Sequence, residues 1–241
     1  MKLIVANFKM NKNSIEMSEY LKRVTSEEYS NQIVLLPSIP NLFLGTIYEN
    51  KNISYGVQNF FFKEEGSYTG EYNLSMLDGM NVKYALVGHS ERRKQFKESN
   101  AQINKKILYA LEQGVTPILC IGESLGQTKN NLFKAHLKRQ LSLALKGVKI
   151  ADLEKVIIAY EPTFAVGQDN PADLLYVESN IALIKQIINA KSAKTEINPT
   201  VLYGGSINVN NYQQYLNSEY IDGLLIGRTI LDAENLIEIG K

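Results

Sequence analysis

The sequence has little of what several classes of protein require. Its single cysteine, Cys120, rules out an internal disulfide and fits a reducing compartment. The formal net charge of +1 is not the basic excess that proteins binding nucleic acids show. The N-terminal apolar run, Leu3–Ala6, is too short for the core of a signal peptide, and no run approaches membrane-spanning length. We therefore predict a soluble, cytoplasmic protein with no nucleic-acid and no membrane partner.

Internal linkers and clustered metal ligands are also missing. No Pro/Ser-rich stretch or run of charge interrupts the 241 residues, and 44% of them are hydrophobic, which is enough for a sizeable core. A single domain over residues 1–241 is the expectation. The only two histidines, His89 and His136, lie far apart and outside any cluster with acidic residues, so no metal site is expected.

Short apolar runs recur throughout the chain. Each is too short for a helix and is typical of a strand buried on both faces of a parallel sheet. Eight such runs are present: Leu3–Ala6, Ile33–Leu36, Ile53–Val57, Tyr84–Val87, Val115–Ile121, Val156–Tyr160, Thr200–Tyr203 and Gly223–Ile226.

Segments with helical periodicity separate these runs. The clearest are Ser14–Glu28, Leu42–Glu49, Ser99–Gln113, Thr128–Lys146 and Asp173–Lys191, and Ser99 with Gln102 forms a capping box at one helix start. The alternation predicts an α/β fold, a (β/α)8 TIM barrel. The alternative is an open doubly wound sheet. That fold usually carries a GxGxxG turn after the first strand, whereas the corresponding turn here contains no glycine.

In a (β/α)8 barrel the chemistry lies at the C-terminal ends of the strands, so polar residues there are the candidates. Asn7 and Lys9 follow the first strand, where the ammonium group would attract an anion; an ordinary surface lysine is an equal alternative. His89 follows the fourth strand at a helix N-terminus, which favours the neutral imidazole. A neutral ring can donate a hydrogen bond to a carbonyl oxygen; the alternative is a structural cap. We expect Glu91 to hold the Lys9 ammonium.

Residues 159–170, AYEPTFAVGQDN, place one carboxylate at the end of the sixth apolar run. Apolar neighbours would desolvate Glu161 when the following loop closes, and desolvation raises the pKa of a carboxyl group and makes it a stronger base. Gly167 would allow the loop backbone to approach a ligand closely. Pro162 stiffens the hinge, so the loop should move as one piece.

Glycine-containing turns follow the last two strands. They read Gly204-Gly205-Ser206 and Gly227-Arg228, a pattern that predicts a phosphate site built from backbone N–H groups. Cys120, taken with His89, raises the alternative of a Cys–His hydrolase. A small core residue is the favoured interpretation of this cysteine. The adjacent arginines Arg92 and Arg93 are expected to form structural ion pairs.

Together these residues provide a base, a neutral hydrogen-bond donor, a cation and a phosphate site. No flavin or nicotinamide fingerprint accompanies them, so no cofactor is expected. The set suits proton abstraction next to a carbonyl group in a small phosphorylated substrate. Glu161 would remove the proton, and His89 and Lys9 would stabilise the charge that develops on oxygen. The sequence therefore predicts an aldose–ketose isomerase.

Five motifs resemble those of the triosephosphate isomerase family, in the family's order and over nearly the whole chain. They are Asn7-Phe8-Lys9-Met10-Asn11, Gly88-His89-Ser90-Glu91-Arg92-Arg93, Cys120-Ile121-Gly122-Glu123, Tyr160-Glu161-Pro162 and Tyr203-Gly204-Gly205-Ser206. The resemblance implies a cofactor-free homodimer of central carbon metabolism that interconverts D-glyceraldehyde 3-phosphate and dihydroxyacetone phosphate.

The resemblance also implies residue roles. Glu161 would be the catalytic base, His89 the electrophile, and Lys9 the electrostatic stabiliser. The residues implied to bind substrate are Asn7, Lys9, Gly167, Ser206, Gly227 and Arg228. Glu91, Cys120 and Tyr203 are expected to contact and position these residues without binding substrate themselves.

The segment Asn59–Asn73 separately suggests a dimer. It carries five aromatic residues, Phe60, Phe61, Phe62, Tyr68 and Tyr72, and so many on one loop indicate that a partner covers it. Its Tyr68-Thr69-Gly70-Glu71 resembles the tip of the family's intersubunit loop.

Several positions depart from the family pattern. Phe164 replaces a tryptophan, Gln168-Asp169 replaces Thr-Gly, and Pro171 enters the second hinge. Asp169 would add negative charge near a phosphate dianion. Arg228 replaces the second glycine of a Gly-Gly pair and would either supplement the phosphate site or reshape it for a larger substrate.

Three alternatives therefore stay open. An isomerase of a four-carbon ketose phosphate would use the same base and histidine. A non-catalytic phosphate-binding barrel would need the phosphate site but neither Glu161 nor His89. A Schiff-base aldolase would need a lysine at a mid-barrel strand end, whereas Lys83 and Lys155 lie near strand starts.

Overall fold

Eight parallel strands form a closed barrel in which each strand pairs with the next along the chain. The structure, a computed structural model, describes residues 1–165, 171–192 and 195–241. The strands are β1 Leu3–Asn7, β2 Gln32–Leu36, β3 Ile53–Val57, β4 Val82–Val87, β5 Thr116–Ile121, β6 Ile157–Tyr160, β7 Val201–Tyr203 and β8 Gly223–Ile226. The last strand pairs with the first in the register Leu3↔Gly223. This closure confirms the predicted barrel and all eight predicted strands, and it excludes the open sheet.

Helices connect the strands on the outside of the barrel. They are α1 Ser14–Thr25, α2 Ser90–Gln95, α3 Asn100–Glu112, α4 Leu125–Lys129, α5 Phe133–Ala144, α6 Leu174–Asn189, α7 Tyr212–Leu216 and α8 Ala233–Gly240. Segments of 3-10 helix lie at Ile39–Thr46, Ser75–Leu77, Ile150–Lys155 and Arg228–Leu231. Among the described residues, no helix combines the length and the apolar character needed to cross a bilayer.

The helix that begins at Ser99 forms as predicted. The Ser99 side chain caps α3 by accepting from the Gln102 N–H group, and the Gln102 side chain accepts from the Ser99 N–H group in return. Asp173 likewise caps α6, through a 3.1 Å hydrogen bond from the Tyr176 N–H group. Both caps satisfy backbone donors that the first helical turn leaves unpaired.

Two predicted helices were wrong in form. The segment predicted as Leu42–Glu49 is the 3-10 helix Ile39–Thr46, whose eight residues include Gly45, a poor helix former. The long helix predicted over Thr128–Lys146 is divided into α4 and α5. The division lies at Asn131, which adopts a left-handed conformation with φ 55°, one that asparagine tolerates better than most residues.

The strands are buried on both faces, as their apolar runs predict. One face of each strand packs against the helices. The other face fills the barrel interior with the side chains of Val5, Val34, Leu36, Leu86, Ile118, Cys120, Ile157, Ala159, Leu202 and Leu225. Because side chains alternate along a strand, the residue two positions after an interior one also points inward. Asn7 comes two residues after Val5, and Glu161 comes two residues after Ala159. Both side chains therefore point into the mouth of the barrel.

A substitution at Gly223 tests the closure of the barrel, because this residue of β8 pairs with Leu3 of β1. A Cβ atom at this position would lie 1.9 Å from the carbonyl oxygen of Leu3. We expect Gly223→Ala to lower the free energy of unfolding by about 1–3 kcal/mol, as overpacking does elsewhere, when measured by urea denaturation.

Gly126→Ala is the matched control. The nearest atom to a Cβ at Gly126 is the Ser124 Oγ at 3.9 Å, and alanine is the better helix former, so stability should stay the same or rise. A Gly223→Ala protein as stable as this control would contradict the described packing of β8 against β1.

Candidate active site

The mouth of the barrel holds a cavity of about 240 Å³ at the C-terminal ends of the strands. Its lining includes seven residues that the sequence predicts for the site: Asn7, Lys9, His89, Glu161, Ser206, Gly227 and Arg228. Gly167, the eighth, lies in the segment 166–170, outside the described residues, as do Gln168 and Asp169. Residues from five different strand ends thus converge on one small, polar space.

Glu161 and His89 face each other across this space. The His89 Nε2 and the Glu161 Oε1 are 3.2 Å apart, and both side chains are almost completely buried, at 6% and 4% exposure. On the other side of the imidazole, the Glu91 N–H group at the start of α2 donates to His89 Nδ1 at 3.3 Å. A ring nitrogen that accepts a hydrogen bond carries no proton, so the proton of the neutral ring lies on Nε2, directed at Glu161.

The pKa values of this pair differ from the sequence-based expectation. Burial raises the pKa of the Glu161 carboxyl, as expected, but His89, the Cys120 thiol and the Lys9 charge outweigh burial and leave the pKa below its usual value. Burial alone would lower the pKa of His89, yet the facing carboxylate of Glu161, helped by Glu91, leaves it above its usual value. The sequence-based expectation for the two pKa values included desolvation and the helix terminus. It did not include the direct contact between the two side chains, which shifts both pKa values in the opposite direction.

Lys9 lies at the edge of the cavity beside the β8 turn. Its Nζ is 2.6 Å from the Glu91 Oε1, so the structure places Glu91 where the sequence predicts it. The backbone of Lys9 adopts φ 51°, a left-handed conformation that is uncommon outside glycine. Hydrogen bonds hold it there: the Lys9 N–H group donates to Asn7 Oδ1 at 3.1 Å, and the Gln58 amide donates to the Lys9 carbonyl at 2.9 Å.

Cys120 lies behind Glu161, inside the barrel. Burial raises the pKa of its thiol well above the usual value, and the nearby Glu161 charge acts in the same direction. A buried thiol of this kind is inert, and His89 presents its Nε2 to Glu161, so the geometry does not support a Cys–His hydrolase.

Among the residues that the structure describes, Arg93 has no acidic partner, so the predicted ion pair is not seen there. Its guanidinium donates to the carbonyl oxygens of Gly88 at 2.6 Å and Cys120 at 3.0 Å, and to Asn100 Oδ1 at 2.7 Å. Arg92 does approach an acidic partner, with its Nε 3.5 Å from the Glu98 Oε1. Arg93 therefore joins the turn that carries His89 to β5, a role that the sequence did not indicate.

The turn after β7 is packed too closely for side chains. A Cβ on Gly204 would lie 2.7 Å from the Glu161 Cγ, and a Cβ on Gly205 would lie 1.9 Å from the Tyr203 hydroxyl. The Ser206 hydroxyl donates to the Ala165 carbonyl at 2.8 Å, which joins this turn to the chain after Glu161. Tyr203 therefore packs against the turn without lining the cavity, which is the position that the sequence predicts for it.

Sequence reasoning missed a buried carboxylate next to the site. Glu123 is fully buried and accepts hydrogen bonds from the hydroxyls of Tyr160 at 2.8 Å and Tyr176 at 2.7 Å. Its backbone carbonyl accepts from the N–H group of Thr163 at 2.8 Å. These partners are 37 and 53 residues away for the two tyrosines, so no local pattern could have indicated the cluster.

The arrangement places a carboxylate, an Nε2–H donor and an ammonium group around a space the size of a small molecule, beside glycine turns with exposed backbone. Within residues 1–165, 171–192 and 195–241, no group of three acidic, histidine or cysteine side chains could hold a metal ion. Proton transfer on a small anionic substrate is the chemistry that these described groups can perform.

Comparisons with known proteins agree with this geometry. A family model described as triosephosphate isomerase matches residues 2–241. The chain is 36% identical to the triosephosphate isomerase of Aquifex aeolicus over 99% of its own length and 98% of the relative's. It is 36% identical to that of Finegoldia magna over 99% and 98% of the two chains, and 35% identical to that of Dictyoglomus thermophilum over 100% and 98%. With the matching fold and motifs, these similarities show that the chain belongs to the triosephosphate isomerase family.

Proposed function

We propose that the protein interconverts D-glyceraldehyde 3-phosphate and dihydroxyacetone phosphate by proton transfer through an enediolate. The observation that carries this proposal is the buried pair of Glu161 and His89, 3.2 Å apart, with Lys9 on the same cavity. Relatives that match nearly the full chain carry the name of the enzyme for this reaction.

Glu161 acts as the base that removes the proton from carbon. A base must be ionised, and the contacts that keep the pKa of Glu161 low ensure this before substrate binds. A substrate that enters between Glu161 and His89 replaces the contact that lowers this pKa. The effect of burial then dominates, and the carboxylate becomes a stronger base at the moment it is used.

His89 and Lys9 stabilise the negative charge that develops on the substrate oxygens. The Nε2–H group of His89 is already aimed into the cavity, because the Glu91 N–H group occupies Nδ1. Glu91 also holds the Lys9 ammonium in place. Donors fixed before the reaction need no reorganisation as charge develops, which is where most electrostatic stabilisation arises.

The backbone after β7 and β8 binds the phosphate group. Ser206, Gly227 and Arg228 line the cavity, and Gly167 joins them by the family resemblance. Asn7 completes the substrate contacts from β1. The exposed Arg228 side chain adds a cation at a position where the family usually has glycine. The reaction needs no cofactor, and we infer a cytoplasmic location because triose phosphates belong to central carbon metabolism.

Replacing the base tests the catalytic role. Glu161→Asp shortens the side chain by one methylene and withdraws the carboxylate from the reacting carbon, so we expect kcat to fall by about a hundredfold while KM changes by less than about threefold. A coupled assay that measures kcat and KM separately provides both numbers.

Glu112→Asp, the same change at an exposed position on α3, is the control and should leave kcat unchanged. If Glu161→Asp isomerises as fast as the unsubstituted protein, Glu161 is not the base, and the non-catalytic phosphate-binding barrel becomes the better interpretation.

The alternative substrate is a four-carbon ketose phosphate, and Arg228 is the feature that favours it. We expect kcat/KM to be at least about tenfold higher for the three-carbon substrate, since one extra carbon unit in a fitted pocket typically changes kcat/KM by this factor or more. Steady-state kinetics on both substrates measure the ratio. A preference for the longer sugar would replace the three-carbon assignment.

We further propose that two copies of the chain associate through the Asn59–Asn73 loop. Phe60 is buried within its own chain, so not all five aromatic residues remain for a partner. Tyr68 is 41% exposed and shares a surface groove with the exposed Met76. A neighbouring groove is lined by Met10, which is 96% exposed. Exposed apolar side chains next to grooves are typical of protein–protein interfaces.

Tyr68→Asp tests this interface, because it places a charge in the apolar surface that the partner would cover. We expect sedimentation velocity to show a dimer for the unsubstituted protein and a monomer for the variant. Tyr220→Asp, at a tyrosine that is also exposed but lies before β8, should remain dimeric. A Tyr68→Asp protein that sediments as a dimer would exclude this loop from the interface.

A further inference from the structure

Two tyrosines hold the backbone of one residue, Ala172, beside the candidate phosphate site. The Ala172 N–H group donates to the Tyr203 hydroxyl at 3.1 Å, and the Tyr215 hydroxyl donates to the Ala172 carbonyl at 2.6 Å. All three residues are buried. Tyr203 ends β7 and Tyr215 lies on α7, so the two hydroxyls fix both polar atoms of Ala172 from different elements.

The two tyrosine rings also pack on each other. Their centroids are 4.5 Å apart and their planes are tilted by 31°. Tyr215 therefore restrains Tyr203 in two ways, by direct ring contact and through the backbone of Ala172, to which both hydroxyls bond. The Tyr215 hydroxyl could rotate to another acceptor only by leaving a buried carbonyl without a donor, which is unfavourable.

The position of Tyr203 affects the cavity because the turn that follows this residue lines the cavity. The Tyr203 hydroxyl lies so close to Gly205 that a Cβ there would be 1.9 Å away. Gly204, Gly205 and Ser206 all line the cavity, whereas Tyr215 does not. A shift of the Tyr203 hydroxyl would therefore move the backbone that faces the phosphate.

We infer that Tyr215 is a positioning residue for the phosphate side of the site. Its hydroxyl holds the Ala172 carbonyl, the Ala172 N–H group orients the Tyr203 hydroxyl, and Tyr203 sets the backbone of Gly205. The role in turnover rests on the proposed function, but the effect on anion binding does not. The contacts lead from Tyr215 to Gly205 and do not include His89 or Lys9, and Glu161 is touched only by the neighbouring Gly204. Tyr215 should therefore affect phosphate affinity more than the proton-transfer step.

Tyr215→Phe removes the hydroxyl and keeps the ring. We expect the KM for triose phosphate and the inhibition constant for inorganic phosphate both to rise about fivefold, which is the effect of losing one hydrogen bond. The kcat should change by less than about twofold. Tyr55→Phe is the matched control, since it deletes a buried hydroxyl that donates to the Tyr48 carbonyl at 2.7 Å, away from the cavity. The control should leave both constants unchanged, even where the two variants lose similar thermal stability.

A double-mutant cycle with Tyr203→Phe separates positioning from general destabilisation. If both hydroxyls act through the backbone of Ala172, the double variant should raise the inhibition constant for phosphate by clearly less than the product of the two single effects. Full multiplicativity, or a Tyr215→Phe protein whose phosphate inhibition equals that of the Tyr55→Phe control, would overturn the proposal.

Hydrogen exchange at the Ala172 amide gives a readout that needs no variant. If this arrangement favours phosphate binding, bound phosphate must stabilise the arrangement in return, so saturating inorganic phosphate should slow exchange about fivefold. Unchanged exchange would overturn the role of Tyr215. Absence of isomerase activity in the unsubstituted protein would instead contradict the proposed function and leave this binding test valid.

Discussion

The contact between the Glu161 carboxylate and the His89 Nε2 is the interaction on which the rest of the site depends. A buried carboxylate is unfavourable unless hydrogen bonds or charges compensate its lost hydration. Here the compensation comes from His89, the Cys120 thiol and the nearby Lys9 charge, and it leaves the pKa of Glu161 below its usual value. Two of these groups, His89 and Lys9, also line the cavity, so a substrate that enters replaces a contact that keeps the carboxylate ionised.

The barrel is what makes this contact possible. Glu161 and His89 belong to different strand ends, β6 and β4, which the parallel sheet brings to one rim. The start of α2 orients the imidazole, and Arg93 fastens the same turn to β5 through backbone carbonyls. The glycines after β7 allow the backbone to pass directly beside Glu161. Each catalytic candidate is therefore supported by a neighbouring strand, which restricts its position more than a single loop could.

Much of the fold and site could be predicted from the sequence because the signals were local. The apolar runs predicted the eight strands. The location of active sites at the C-terminal ends of barrel strands predicted where the site residues lie. The order of the motifs indicated the family. The helix Ser90–Gln95 was expected only from its place after His89, because it buries no apolar face and so shows no periodicity. The division between α4 and α5 depends on the backbone conformation of Asn131, to which a periodicity count is insensitive.

The features that could not be predicted arise from contacts between distant residues. The Glu123 cluster and the Ala172–Tyr215 hydrogen bond join residues tens of positions apart, and tyrosines in amphipathic segments look like ordinary core residues in sequence. The pKa directions of Glu161 and His89 could not be anticipated either, since each is a balance between burial and specific partners whose distances only the structure provides.

Isomerisation of dihydroxyacetone phosphate in heavy water tests the central claim most directly. If the Glu161 carboxylate carries the proton between carbons through an enediolate, the proton exchanges with solvent on the way. Mass spectrometry should then find deuterium on carbon in the product, and Glu161→Gln should abolish this uptake. Product formed at full rate by the Glu161→Gln protein, or deuterium uptake that persists in it, would contradict the account, because a group other than Glu161 would then remove the proton.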